Sequence, residues 1–142
     1  TEHGKRRCVK RRASNLPDTN VLIRYLVRDN ESLFGKAKDF FDQVKAGSAR
    51  AVILESVIAE CIYVFTKIYQ VPRNEAAESL IDILRYKGIA NHDQRELIRA
   101  LGLFSERNLD IVDCILCVKA AAPHLSLFSF DRELNKMNEA KR

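Results

Sequence analysis

The chain has 142 residues, 46% of them hydrophobic and 30% charged, which suits one domain with one core and excludes disordered, collagenous and low-complexity classes. No apolar run approaches the ~18 residues of a membrane span, and the basic start is not followed by the apolar stretch of a secretory signal, so a cytoplasmic protein with no membrane partner is expected. The formal charge of +5 is local, since residues 1–12 carry six basic side chains and one acid and the rest of the chain is balanced.

Residues 1–12 are therefore expected to be a loose basic lead-in or an appended remnant, ahead of a single domain over residues 13–142. A weak first strand closes at Leu16 and ends at Asp18. Residues 20–27 and 31–45 follow as helices, the second with Leu33, Phe34, Ala37, Phe40, Phe41 and Val44 at helical spacing and a stop near Gly47. Residues 51–54 form a short buried strand. The apolar helix 56–69 ends at Val71-Pro72, and its composition predicts burial on more than one side.

Asn74 is placed to cap the next helix, which runs to about Tyr86, and Asp93-x-x-Glu96 is a capping-box variant opening a helix to Arg107. A helix over 109–122 ends at Pro123. Residues 125–129 read as a strand and 132–139 as a last short helix. Strands alternating with helices predict an α/β fold whose central parallel sheet is covered on both faces.

The cysteines do not form a scaffold. Cys8, Cys61, Cys114 and Cys117 are too few and too unevenly spaced. Cys114-x-x-Cys117 lies in an apolar helical pattern without a second pair or a nearby histidine, so these residues read as small buried hydrophobes.

Chemistry is carried by acids at element ends. Sites in open parallel sheets form beyond the carboxyl ends of the strands, where Asp18 and Asp131 both fall. Glu60 stands one turn into its helix among Ile58, Ala59, Cys61 and Ile62, surroundings expected to bury it. Asp110 and Asp113 share a face at a helix start. Taken singly, Asp18, Asp110 and Asp131 are ordinary helix caps. Together, four or five clustered carboxylates call for a divalent cation, and hard oxygen donors suit Mg²⁺ or Mn²⁺. His3, His92 and His124 are not placed to act as a catalytic pair.

Four segments carry a family resemblance. Asp18-Thr19-Asn20-Val21-Leu22-Ile23-Arg24-Tyr25-Leu26, Ser56-Val57-Ile58-Ala59-Glu60, Leu109-Asp110-Ile111-Val112-Asp113 and Phe128-Ser129-Phe130-Asp131 resemble, in order and spacing, the acidic motifs of PIN-domain ribonucleases, in particular VapC-like toxins. The resemblance implies a PIN-like three-layer α/β/α domain with a central parallel sheet. It implies metal-dependent endoribonuclease action, with Asp18, Glu60, Asp113 and Asp131 as catalytic, metal-binding acids and Asp110 as an additional ligand. Asn20 and Ser56 match polar positions supporting the site, and Ser129 stands where the family usually has Thr. The polar, proline-ended stretch before Asp18 departs from the family's longer aliphatic strand.

The partners expected are RNA and a small antitoxin that wraps the apolar helices and inserts an Arg or Lys among the acids. A homodimer is also expected, from family habit and from the apolar positions Phe34, Phe40, Phe41, Ile62, Phe65 and Tyr69. A phosphoryl-transfer enzyme with Asp18 as nucleophile would want a second acid where Asn20 stands. The stronger alternative is a non-catalytic RNA- or protein-binding module on the same fold.

Overall fold

The computed structural model describes residues 13–140. The basic lead-in over residues 1–12, with His3 and Cys8, lies outside them. The elements in chain order are β1 (Ser14–Asn15), α1 (Thr19–Leu26), α2 (Glu31–Ala46), β2 (Arg50–Ala51), α3 (Glu55–Tyr63) running into a π-helical segment (Val64–Ile68), α4 (Arg73–Leu84), α5 (Gln94–Glu106), α6 (Ile111–Lys119) and α7 (Arg132–Ala140).

The sheet is small and parallel. Ser14 pairs with Arg50 and Asn15 with Ala51, and Ala51 also bridges Ile89 in parallel sense. On that side Ala51 N–H donates to the Gly88 carbonyl at 3.0 Å, and Ala90 N–H to the Ala51 carbonyl at 2.8 Å. Beyond it the ladder is continued by a side chain. The Asn91 amide accepts from Ile53 N–H at 2.8 Å and donates to the Ile53 carbonyl at 2.7 Å, pairing as a peptide would. Gly88 is required here, because a Cβ would drive into the carbonyl oxygens of Ala49 and Val44.

Helix ends follow local chemistry. The Asn30 side chain accepts from Leu33 N–H at 3.0 Å to open α2, and Gly47 closes it in the left-handed region at φ 85°. Ala37, Phe41 and Val44 give α2 its buried stripe. In the π segment, Thr66 Oγ1 donates to the Ile62 carbonyl at 2.7 Å. The following Tyr69 N–H reaches five residues back to Val64 at 3.1 Å, which is the π pattern. Helices α4, α5 and α6 pack in succession around fully buried Leu80, Leu84, Leu97, Leu101 and Cys114.

Several sequence expectations need correction. The first strand ends at Asn15, before Leu16, because Pro17 has no N–H to give a ladder. The second strand is Arg50–Ala51, shifted from 51–54. Residues 125–129 form no strand: a strand exists only against a partner, and β1 ends too soon to serve. Helix α4 starts at Arg73 behind Pro72, without an Asn74 cap. Asp93 occupies the cap position of α5 but makes no cap bond, since its carboxylate accepts from Asn91 at 3.0 Å and from Lys119 at 2.9 Å. The third helix, expected over 56–69, is α over Glu55–Tyr63 and π over Val64–Ile68. The sixth is shorter than 109–122, ending at Lys119.

Burial also revises the expected apolar surface. Phe41, Ile62 and Phe65 are buried inside the subunit and Phe34 and Phe40 half-buried, leaving Tyr69 exposed. Cys61, Cys114 and Cys117 are buried.

Candidate active site

Four of the five acids sit at or near helix starts, and Glu60 lies further along α3. Asp18 Oδ1 accepts from Val21 N–H at 3.0 Å and so caps α1. Asp131 Oδ1 accepts from Glu133 N–H at 2.9 Å and Leu134 N–H at 3.1 Å to cap α7. Each cap uses one carboxylate oxygen and leaves the other for a further partner. Asp110 occupies the cap position of α6 in extended backbone, yet its side chain makes no cap bond. Its exposed carboxylate is therefore not spent on the helix. Asp113 lies in the first turn of α6 and is half-buried.

Glu60 is exposed, contrary to the burial expected from its neighbours. Ile58, Cys61 and Ile62 turn inward while Glu60 falls on the outer face of α3, so desolvation gives it no need of a partner.

Electrostatics sorts the acids into two groups. The Asp113 carboxyl is pushed up from its ordinary value by burial, then by the charges of Asp110 and Asp131. The buried Cys61 thiol is pushed up to about 12 by burial, then by Glu60 and Asp18. Helix α3, carrying Glu60 and Cys61, packs on both α1 and α6. Asp110 and Asp131 thus lie within electrostatic reach of Asp113, and Asp18 and Glu60 within reach of Cys61.

Of the supporting polar residues, Ser129 acts on an acid. Its Oγ accepts from Asp131 N–H at 3.0 Å, and its carbonyl accepts from the Asn135 amide at 2.9 Å. Asn20 and Ser56 are exposed, and Asn20 lines a separate groove with Asn15, Leu16, Pro17 and Arg24. His92 and His124 are exposed.

A groove of about 860 Å³ runs from Asp110 and Asp113 past Tyr63, Thr66, Lys67, Arg73 and Asn108. Sequence reasoning missed these groove residues. The π segment brings Thr66 and Lys67 to this wall, and no residue pattern announces a π turn.

In comparison with known proteins, residues 16–140 match the PIN domain family. The chain belongs to the PIN-domain family. This PIN domain is 28% identical over 124 residues to a VapC ribonuclease of Aquifex aeolicus (strain VF5), covering 86% of the chain and 90% of that relative. No solved structure matches the chain significantly.

The donor set of this PIN domain fits a hard divalent cation in its chemistry. Every candidate ligand is a carboxylate, and the charges of Asp110 and Asp131, which add to burial in raising Asp113, are what a cation relieves. Among the described residues no three His, Cys, Asp or Glu side chains approach closely enough to form a closed metal cage. Mg²⁺ does not require one, because it commonly takes one or two carboxylates and keeps several waters.

Proposed function

We propose that the chain is a Mg²⁺- or Mn²⁺-dependent endoribonuclease, the toxin of a bacterial or archaeal type II toxin–antitoxin pair, cleaving RNA by attack of water on a phosphodiester. The observation that carries this reading is Asp113 in the first turn of α6, half-buried and raised by burial and then by the charges of Asp110 and Asp131. Membership of the PIN family and similarity to a VapC ribonuclease support it.

Asp113 and Asp18 are the principal ligands in this proposal, with Glu60 and Asp131 binding directly or through water and Asp110 alongside. A bound divalent ion supplies charge neutralisation at the phosphate and a more acidic water. The chain's own residues hold the acids in place. Backbone donors fix one oxygen of Asp18 and of Asp131, and Ser129 fixes the peptide that carries Asp131. Asp18 and Asp131 stand at the amino ends of α1 and α7, where the helix dipole favours negative charge.

The same proposal includes the family's three-layer α/β/α arrangement, a cytoplasmic location and an antitoxin that inserts a basic side chain among the acids. No helix among the described residues is long and apolar enough to cross a membrane. It also includes a homodimer, supported by exposed Tyr63 and Ile68 on the α3–π helix and Val112 and Leu116 on α6.

The test is cleavage of RNA by the purified chain with Mg²⁺ or Mn²⁺, with and without excess EDTA, beside calorimetric metal titration. Cleavage should require metal and disappear in Asp18→Asn. Undiminished cleavage in EDTA overturns the metal requirement, and metal binding without cleavage favours the non-catalytic binding module.

A further inference from the structure

We propose that Arg73 is a positioning residue for the Asp110–Asp113 pair, locking the turn that delivers both carboxylates. The inference rests on the nuclease reading above for its consequence in catalysis, and on geometry alone for the positioning itself.

Arg73 is the first residue of α4, distant in sequence from the acids. Its Nη2 donates to three carbonyls, those of Phe104 at 3.0 Å, Arg107 at 2.8 Å and Leu109 at 2.6 Å. The guanidinium also lies over the Phe104 ring, 3.6 Å from its centroid. One cation thus gathers a carbonyl from the last turn of α5 and two from the crossing to α6. Carbonyls at a helix end present partial negative charge that suits a cation. A planar guanidinium can bond them while stacking on an aromatic face, which an ammonium cannot do.

The last of these carbonyls belongs to the peptide that joins Leu109 to Asp110. Asp110 turns the chain into α6 at φ −66° and ψ 148° and has no side-chain cap bond of its own. The start of α6 is therefore set by its backbone, and Arg73 grips that backbone on the N-terminal side. Moving the Leu109 carbonyl swings Asp110 directly and Asp113, one turn on, with it.

Arg73 is itself mounted on the Glu60 helix. Val71 N–H donates to the Phe65 carbonyl at 2.8 Å, after a turn in which Gln70 adopts φ 55°, and Pro72 then leads into α4. Arg73, at the start of α4 just beyond the π segment, thus adds a hydrogen-bonded link from that end of the chain to the backbone leading into α6.

The experiment compares wild type with Arg73→Met, which keeps an apolar stem over Phe104, and with Arg73→Lys, which keeps the charge. Hydrogen exchange is read at the Cys114 amide, whose bond to the Asp110 carbonyl is 3.1 Å. Mn²⁺ affinity is read by calorimetry, and kcat and KM from RNA cleavage. Exchange should rise at Cys114 and its neighbours in α6 in both variants, with α1 amides unchanged. Mn²⁺ affinity should fall about tenfold or more, the usual cost of losing a group that orients ligands. In the same variants kcat should fall with KM held within about twofold, and Lys should not restore it. Unchanged exchange at Cys114, equal loosening of α1 and α6, or wild-type Mn²⁺ affinity in Arg73→Met each overturns the proposal. If wild type fails to cleave RNA, the nuclease reading falls, while exchange still decides whether Arg73 positions the turn.

Discussion

The helical block α4–α5–α6 and the segment from residue 125 to Asp131 are both rich in apolar side chains, yet they treat them in opposite ways. In the block, Leu80, Leu84, Leu97 and Leu101 are fully buried, because each helix meets the next along a continuous stripe. In the segment, Phe128 is 87% and Phe130 92% exposed, their rings meeting edge to face at 5.7 Å. Apolar composition alone does not bury a residue; a surface must stand opposite. The block holds stability, the proposed chemistry lies on the rim, and the two meet at Asp113.

The largest effect should come from that junction. Asp113→Asn is expected to lower RNA cleavage by about 10²–10³-fold, the scale of losing a group that acts at the reacting phosphate. The melting temperature of the metal-free protein should hold or rise, since a repelling charge is removed. Calorimetry beside a gel-based cleavage assay measures both, and a strongly destabilised variant would show that Asp113 belongs to the block rather than to the rim.

Next in size, Leu101→Ala should cost about 2–5 kcal/mol in denaturant unfolding by opening a cavity. Phe130→Ala should stay within about 0.5 kcal/mol despite losing a larger side chain. A reversal of that order would break the comparison.

Third comes Lys119, which bonds Glu55 at 2.7 Å and Asp93 at 2.9 Å and so ties the start of α3 and the start of α5 to the end of α6. Lys119→Met should cost on the order of 1 kcal/mol near neutral pH, as the groups are partly exposed. Burial raises the Asp93 carboxyl, but bonds from Lys119 and Asn91 outweigh it and leave it below its ordinary value. Its contribution is therefore present above the unfolded pKa of about 3.9 and is lost as pH falls through the folded value. Bonds to Glu55 and Asp93 raise Lys119, so its contribution holds below the unfolded pKa of about 10.4 and fades as pH rises through the folded value. The stability gap between wild type and variant should be flat between these limits and narrow outside them; a gap that widens in acid would refute the ion-pair account. The smallest change, Phe130→Ser, should leave stability within about 0.5 kcal/mol and reduce self-association in sedimentation.

Helices were legible wherever period and caps agreed. Asn30 and Gly47 bound α2 within a residue of expectation, because the capping bonds are local. The acids Asp18 and Asp131 were legible for the same reason, standing where a helix begins. The two strands were harder to place, since two-residue ladders leave no alternation to read and Asn91 pairs with Ile53 from 38 residues away. Glu60 misled because apolar sequence neighbours on a helix face in several directions, and only the packing of α3 decides which are covered. Arg73 was invisible as a clamp, since its three carbonyl partners lie more than 30 residues downstream.

The π segment Val64–Ile68 has a consequence for evolutionary spacing. A π turn is one residue absorbed into a helix without breaking it, and each residue of an α-helix advances the chain by about 100° and 1.5 Å. Deleting one residue within Val64–Ile68 would let the segment close as plain α-helix, leaving Glu60 and the elements after it near their present azimuths. Deleting a second residue would exceed what the π turn absorbs, and Pro72 and Arg73 would then arrive about 100° round the axis, away from the carbonyls of the α5–α6 crossing. The π turn is thus a one-residue reserve in the chain between Glu60 and Arg73, and a single deletion here should be better tolerated than a second deletion or a further insertion.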